Sequence, residues 1–111
     1  MVTTTPKIPG TLGVLVSSDK HLIHLVHLTR AAHARGKQVH IFFTGSGVTL
    51  TLLPEFRELV GLAELSICDV SFRAFGLHGR EEEVSGVGFK DFATQAKNAE
   101  LVQTMERYIV L

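Results

Sequence analysis

The segment 63-AELSICDVSFRAFGLHG-79 changes its pattern in mid-course. Ala63 to Cys68 is a short run of mostly apolar or small residues, the length of a strand, and it ends on the only cysteine of the chain. Asp69 to Phe75 then reads as a short helix, and a glycine follows at once. A buried strand that runs directly into a helix is half of a βαβ unit, and the rest of the chain supplies the other halves.

Working back toward the N-terminus, 38-QVHIFFT-44 reads as a strand stopped by 45-GSG-47. The run 12-LGVLVSS-18 reads as a strand buried on both faces. Between them, Leu22, Ile23, Val26 and the alanines at 31, 32 and 34 recur at helical spacing. They predict a helix from about Lys20 to Arg35, with Asp19 as candidate N-cap and Gly36 as its stop. The segment 48-VTLTLLPEFRELVG-61 is expected to be broken helix, because Pro54 starts a helical turn but cannot sit inside one. Toward the C-terminus, His78 to Gly88 carries glycines and the run Glu81, Glu82, Glu83, and reads as a solvated loop. A helix is expected over 91–107 with Asp91 near its start, then a terminal strand over 108–111. Strands alternating with helices predict right-handed crossovers and an α/β fold. The expected form is a small doubly wound sandwich, with a mostly parallel sheet of about four or five strands flanked by helices. Residues 1–10, with two prolines, are expected to be a flexible lead, and 11–111 one domain.

Composition narrows the function classes. Eleven basic and eleven acidic residues cancel, and no basic stripe forms, so nucleic-acid binding through phosphate neutralisation is not expected. The stretch 1-MVTTTPKIPG-10 lacks the charged start and apolar core of a signal peptide, and no run approaches the roughly 20 apolar residues that span a bilayer. No membrane association and a cytoplasmic location are therefore expected, and a lone cysteine suits a reducing compartment. The 45% apolar content and mean hydropathy of +0.24 are high for a small monomer and point to self-association.

In doubly wound folds, chemistry gathers beyond the carboxyl ends of the strands. Ser17, Ser18 and Asp19 fall there after the first strand, Thr44 to Gly47 after the second, and Cys68 to Ser71 after the third. At a strand-to-helix junction, unpaired backbone N–H groups favour a thiolate at Cys68. Asp69 opposes this, and Arg73 offsets Asp69 if it reaches back. The alternative is a small buried hydrophobe that closes the strand. Gly45 and Gly47 could face an anion, although the spacing is not that of a P-loop and a tight turn explains them equally well. His21, His24 and His27, spaced three apart, share one helix face. They are weak metal-ligand candidates, because no further ligand is signposted, and a polar face explains them too.

Three segments together carry a resemblance: 31-AAHARGKQVHIFF-43, the turn 42-FFTGSGV-48, and 68-CDVSFRAFGL-77, where a cysteine ends the third strand eight residues before Gly76. Over nearly its whole length the chain resembles the DsrE/DsrF-like (DsrE/TusD) sulfur-relay family. The resemblance implies a flavodoxin-like or Rossmann-like sandwich that assembles into dimers, trimers or hexamers. It implies Cys68 as the persulfide-carrying residue, Gly76 as the end of its helix, sulfur-donor and sulfur-acceptor proteins as partners, and no cofactor. Asp69, Ser71 and Arg73 would line that site, with Ser17, Thr44, Gly45 and Gly47 on its rim. A non-catalytic ligand-binding or assembly module of the same fold, with Cys68 structural, is the alternative.

Overall fold

A computed structural model describes residues 6–111. Its centre is an all-parallel five-stranded sheet built from β1 (Ile8–Val16), β2 (Gln38–Phe43), β3 (Ala63–Cys68), β4 (Phe92–Ala93) and β5 (Met105–Val110), in the order β4-β3-β2-β1-β5. The chain steps outward from β1 to β4 and then returns across the sheet to place β5 on the far side of β1. With right-handed crossovers, that reversal puts layers on both faces, which is the doubly wound arrangement.

One face is thick. Helix α1 (Leu22–Ala34), two 3₁₀ segments (Gly45–Leu52 and Pro54–Leu59) and helix α2 (Asp69–Ala74) bury Leu25, Val26, Val48, Phe56, Leu59 and Phe72. Against them lie the strand residues of one parity: Val14, Val16, Val39, Ile41, Phe43, Leu65 and Ile67. The other face is thin. A single helix, α3 (Gln95–Thr104), lays Leu101 over Phe42 and Cys68, with Met105 beside them. Cys68 therefore belongs to the thinly covered face.

Several boundaries differ from the sequence expectation. The first five residues of the expected lead lie outside the described residues, but β1 is already strand from Ile8. Pro9 and Gly10 are accommodated because the β1–β5 register shifts between Ile8 and Leu12, with Gly10 at φ +74° and Thr11 Oγ1 accepting the Glu106 N–H at 2.9 Å. Helix α1 begins at Leu22 and has no side-chain cap, so Asp19 does not cap it. The helix expected over 91–107 begins at Gln95, where the Thr94 hydroxyl caps Ala96 N–H. Asp91 caps a 3₁₀ turn instead, accepting Gly88 N–H at 2.9 Å, and Phe92–Ala93 is a short strand. The helix stops at Thr104, so the last strand starts three residues earlier than expected. Pro54 divides the segment after β2 as its ring demands. Gly76, at φ +75°, ends α2 as Gly36, at φ +76°, ends α1. Among the described residues, no helix is long and apolar enough to cross a membrane.

Candidate functional site

Cys68 is the last residue of β3 and the N-cap of α2. Its Sγ accepts the Ser71 backbone N–H at 3.5 Å, the role an N-cap oxygen normally plays. A second donor comes from a distant part of the chain, since Gln95 Nε2 lies 3.6 Å from Sγ and 2.9 Å from Thr44 Oγ1. Thr44 Oγ1 is in turn 3.3 Å from Ser71 Oγ, and Ser71 Oγ accepts the Gly45 backbone N–H at 2.9 Å. Gly45 and Gln95 thus occupy acceptor positions on the two hydroxyls, which leaves both hydroxyl hydrogens free to turn toward the sulfur.

Two opposing effects act on the thiol. Burial pushes its pKa up. The Ser71 hydroxyl and backbone N–H, the Thr44 hydroxyl and the Gln95 amide together outweigh burial, so the thiol is held below its ordinary range. Each lowering group is a neutral donor. The charged neighbours expected from sequence pair with each other, Arg73 Nη2 meeting Asp69 Oδ2 at 2.7 Å across one helical turn.

The sulfur is enclosed. Cys68 is only 3% exposed and packs with Phe42, Leu101 and Met105, while Gln95 is exposed. The arrangement is a buried sulfur with one solvent-exposed residue, Gln95, placing its side-chain amide against it.

The structure brings Cys68, Thr44, Gly45 and Ser71 together. Asp69 and Arg73 lie on α2 beside this group without bonding to the sulfur. Ser17 runs beside Gly45, its carbonyl 3.2 Å from where a Gly45 Cβ would stand, but its backbone N–H and its hydroxyl both donate to Leu111 O, at 2.8 and 3.3 Å, rather than to the sulfur group. Gly47 is a packing glycine: a Cβ there would stand 2.4 Å from Val16 O, so the residue serves the close approach of the turn to β1. His21, His24 and His27 are exposed on α1, with the first two rings stacked at 6.1 Å. Among the described residues, no group of three or more His, Cys, Asp or Glu side chains is placed to hold a metal ion.

Gln95 is the candidate-site residue that sequence reasoning missed. Starting the last helix at Asp91 puts residue 95 one turn inside it rather than at the rim. The signal that would have found it is the Thr94–Gln95 pair as a helix start. No model of a known protein family matches the chain, and no curated protein matches it.

Proposed function

We propose that the protein is a sulfur carrier of the DsrE/DsrF-like kind, with Cys68 as the persulfide-carrying residue of an intracellular relay. The observation that carries this reading is the convergence of donors from three separate segments of the chain, the turn after β2, the start of α2 and the start of α3, on one sulfur, with the net effect of lowering its pKa. In the proposed cycle the Cys68 thiolate attacks the terminal sulfur of a donor persulfide. The donor's S–S bond breaks, the donor leaves as a thiolate, and Cys68 holds the sulfur as Cys–S–SH. An acceptor thiolate then attacks that terminal sulfur and releases the Cys68 thiolate, so no net oxidation or reduction occurs and no cofactor is needed. The donors that stabilise the thiolate also stabilise it as the leaving group in the second step.

A specific observation favours the second reading, a non-catalytic module in which Cys68 closes the core: the residue is 3% exposed against Phe42 and Leu101. One experiment separates the two. Incubation with a persulfide donor, followed by intact-mass measurement, should add one sulfur to the wild type and none to Cys68→Ser. Circular dichroism confirms that the variant is folded. Failure to load under conditions that load a known carrier, together with thiol alkylation only after denaturation, would leave the packing role.

A further inference from the structure

Strand β4 pairs only with Ile67 and Cys68, so the sheet beside Leu65 and Ser66 is open on that side, on the thinly covered face. A groove of about 450 Å³ fills the space, within the range of roughly 300–1,000 Å³ common to small-molecule sites. Glu64 and Ser66 form its floor, on the same face as Cys68 because strand side chains alternate. The turn from Gly86 to Asp91 and Lys97 on α3 form its wall. That wall is fixed at both ends of the turn: a Cβ on Gly86, at φ +73°, would stand 2.7 Å from the Val60 side chain, and Asp91 accepts Gly88 N–H at 2.9 Å. The polar groups of the groove differ in what they already bind. Asp91 uses one carboxylate oxygen on Gly88 N–H and the other on the exposed Lys90, each at 2.9 Å. Lys97 has no such partner. Its side chain is 31% exposed, and the one carboxylate within 4 Å of it among the described residues, Glu100, is at 3.7 Å, beyond a hydrogen bond. Ser66 is 8% exposed, and its hydroxyl makes no hydrogen bond among the described residues. A covered ammonium and a buried hydroxyl, both with unused donors, face one groove.

We infer that this groove binds a small zwitterion of the α-amino-acid type. The ligand's carboxylate accepts from the Lys97 ammonium and the Ser66 hydroxyl, and its ammonium group donates to the Glu64 carboxylate. Glu64 is exposed, with Oε2 2.9 Å from His40 Nδ1, so one of its oxygens stays free for a ligand. An anion without an amino group would meet a like charge at Glu64, and an amine without a carboxylate would leave Lys97 and Ser66 as they are. Spacing agrees with the charges. Glu64 and Ser66 are two residues apart on one strand, roughly 6.6 Å. Two hydrogen bonds of about 2.9 Å, joined by the single carbon between the amino and carboxylate groups of an α-amino acid, bridge that distance. The backbone alternation of a parallel strand also turns the N–H and C=O of one of Leu65 and Ser66 toward the open edge, where they can meet a polar side chain of the ligand. Cys68 lies two residues further along the same face and does not line the groove, so the inference stands apart from the sulfur reading.

The probe is L-glutamine, whose amide side chain adds no charge, together with two fragments of it: glutaramate lacks the amino group and 4-aminobutanamide lacks the carboxylate. Each is titrated into the isotope-labelled full chain and followed by backbone amide shifts in NMR spectra. L-Glutamine should shift Glu64, Ser66, Gly86 and Lys97 saturably, and each fragment should bind about tenfold more weakly or worse. Ser66→Ala and Lys97→Met should each weaken L-glutamine by about fivefold or more, since each removes a donor to a charged group. Glu64→Gln should weaken L-glutamine and leave glutaramate unchanged or tighter, a pattern that a general loosening of the fold does not produce. The absence of saturable shifts in the groove, fragments that bind as tightly as L-glutamine, or variants that bind it as the wild type does overturn the inference.

Discussion

Gly47→Ala isolates the contact that sets the rim of the site. A Cβ at this position would lie 2.4 Å from Val16 O, 3.0 Å from Val16 C and 3.2 Å from Val16 Cγ1. The first of these is about 1 Å inside an ordinary contact. The obstructing atom is a backbone carbonyl of β1, a central strand, and it has no rotamer to retreat into. Thr44 N–H also donates to that carbonyl at 2.9 Å, so a retreat of the turn would break this bond. Overpacking in a core costs about 1–3 kcal/mol, and a backbone clash belongs at the upper end, about 3 kcal/mol. With a urea m-value of about 1.5 kcal/mol/M for a chain of this size, the unfolding midpoint should fall by about 2 M. Gly13→Ala is the matched control, because its Cβ would meet side-chain rather than backbone atoms, Met105 Cγ at 2.7 Å and Met105 Cβ and Tyr108 Cδ2 at 3.2 Å. It should lose about 1 kcal/mol. If Gly47→Ala unfolds within about 0.5 kcal/mol of the wild type, or no more easily than Gly13→Ala, the close approach of turn and strand is refuted.

Four further outcomes follow from the structure. Alkylation of native Cys68 should show a pH midpoint below the ordinary thiol range, and Ser71→Ala should move it up by removing the hydroxyl donor; an unchanged midpoint would remove Ser71 from the set of thiolate donors. Because the folded pKa is depressed, the stability linked to Cys68 is present above the unfolded thiol's pKa and lost as pH falls through the folded value. Cys68→Ser should therefore flatten the alkaline rise of stability, read from urea midpoints at a series of pH values. Gln95→Ala should speed alkylation of the native protein by uncovering the sulfur, while Val102→Ala, on the same helix, leaves the rate unchanged. Thr29→Val should be neutral or stabilising by up to about 1 kcal/mol in thermal unfolding, because the Thr29 hydroxyl is buried without a partner and valine keeps its shape.

The parallel α/β architecture was legible because the carboxyl-terminal halves of β1, β2 and β3 are covered on both faces and read as short runs of apolar or small residues, Val14–Val16, Ile41–Phe43 and Leu65–Cys68. The glycines at 36 and 76 ended helices where expected, since a left-handed residue leaves a strong compositional mark. The C-terminal third was less legible. Phe92–Ala93 is a two-residue strand whose identity rests on pairing with Ile67 and Cys68, and no local pattern announces so short an element. Thr104 and Met105 pass from helix to strand without a glycine or proline between them, so the boundary is set by Met105 docking beside Phe42. Of the candidate site, the sequence placed Cys68, Thr44, Gly45 and Ser71 on one rim from topology alone. It expected a charge relation, Asp69 against Arg73, to govern the thiol. The structure pairs those two with each other and gives the sulfur neutral donors, a difference of side-chain direction that no spacing rule carries.

Gln95 ties these two levels together. It reaches Cys68 only because β4 ends beside the sulfur, with Ala93 paired to Cys68 itself, and because Thr94 starts the next helix at once. The element least visible in the sequence is therefore the one that closes the site. The same placement reconciles the two properties of Cys68 that pull apart. Burial raises a thiol's pKa, and a fully walled sulfur would be both protonated and unreachable. Here the wall on the open side is a hydrogen-bond donor on a solvent-exposed residue. In place, the Gln95 amide favours the thiolate, and an outward rotation would leave the Ser71 N–H and the Ser71 and Thr44 hydroxyls around the sulfur. On the proposed carrier reading, a sulfur held this way would be protected between encounters and accessible during them, at the energetic cost of one long amide-to-sulfur hydrogen bond and the 2.9 Å bond to Thr44.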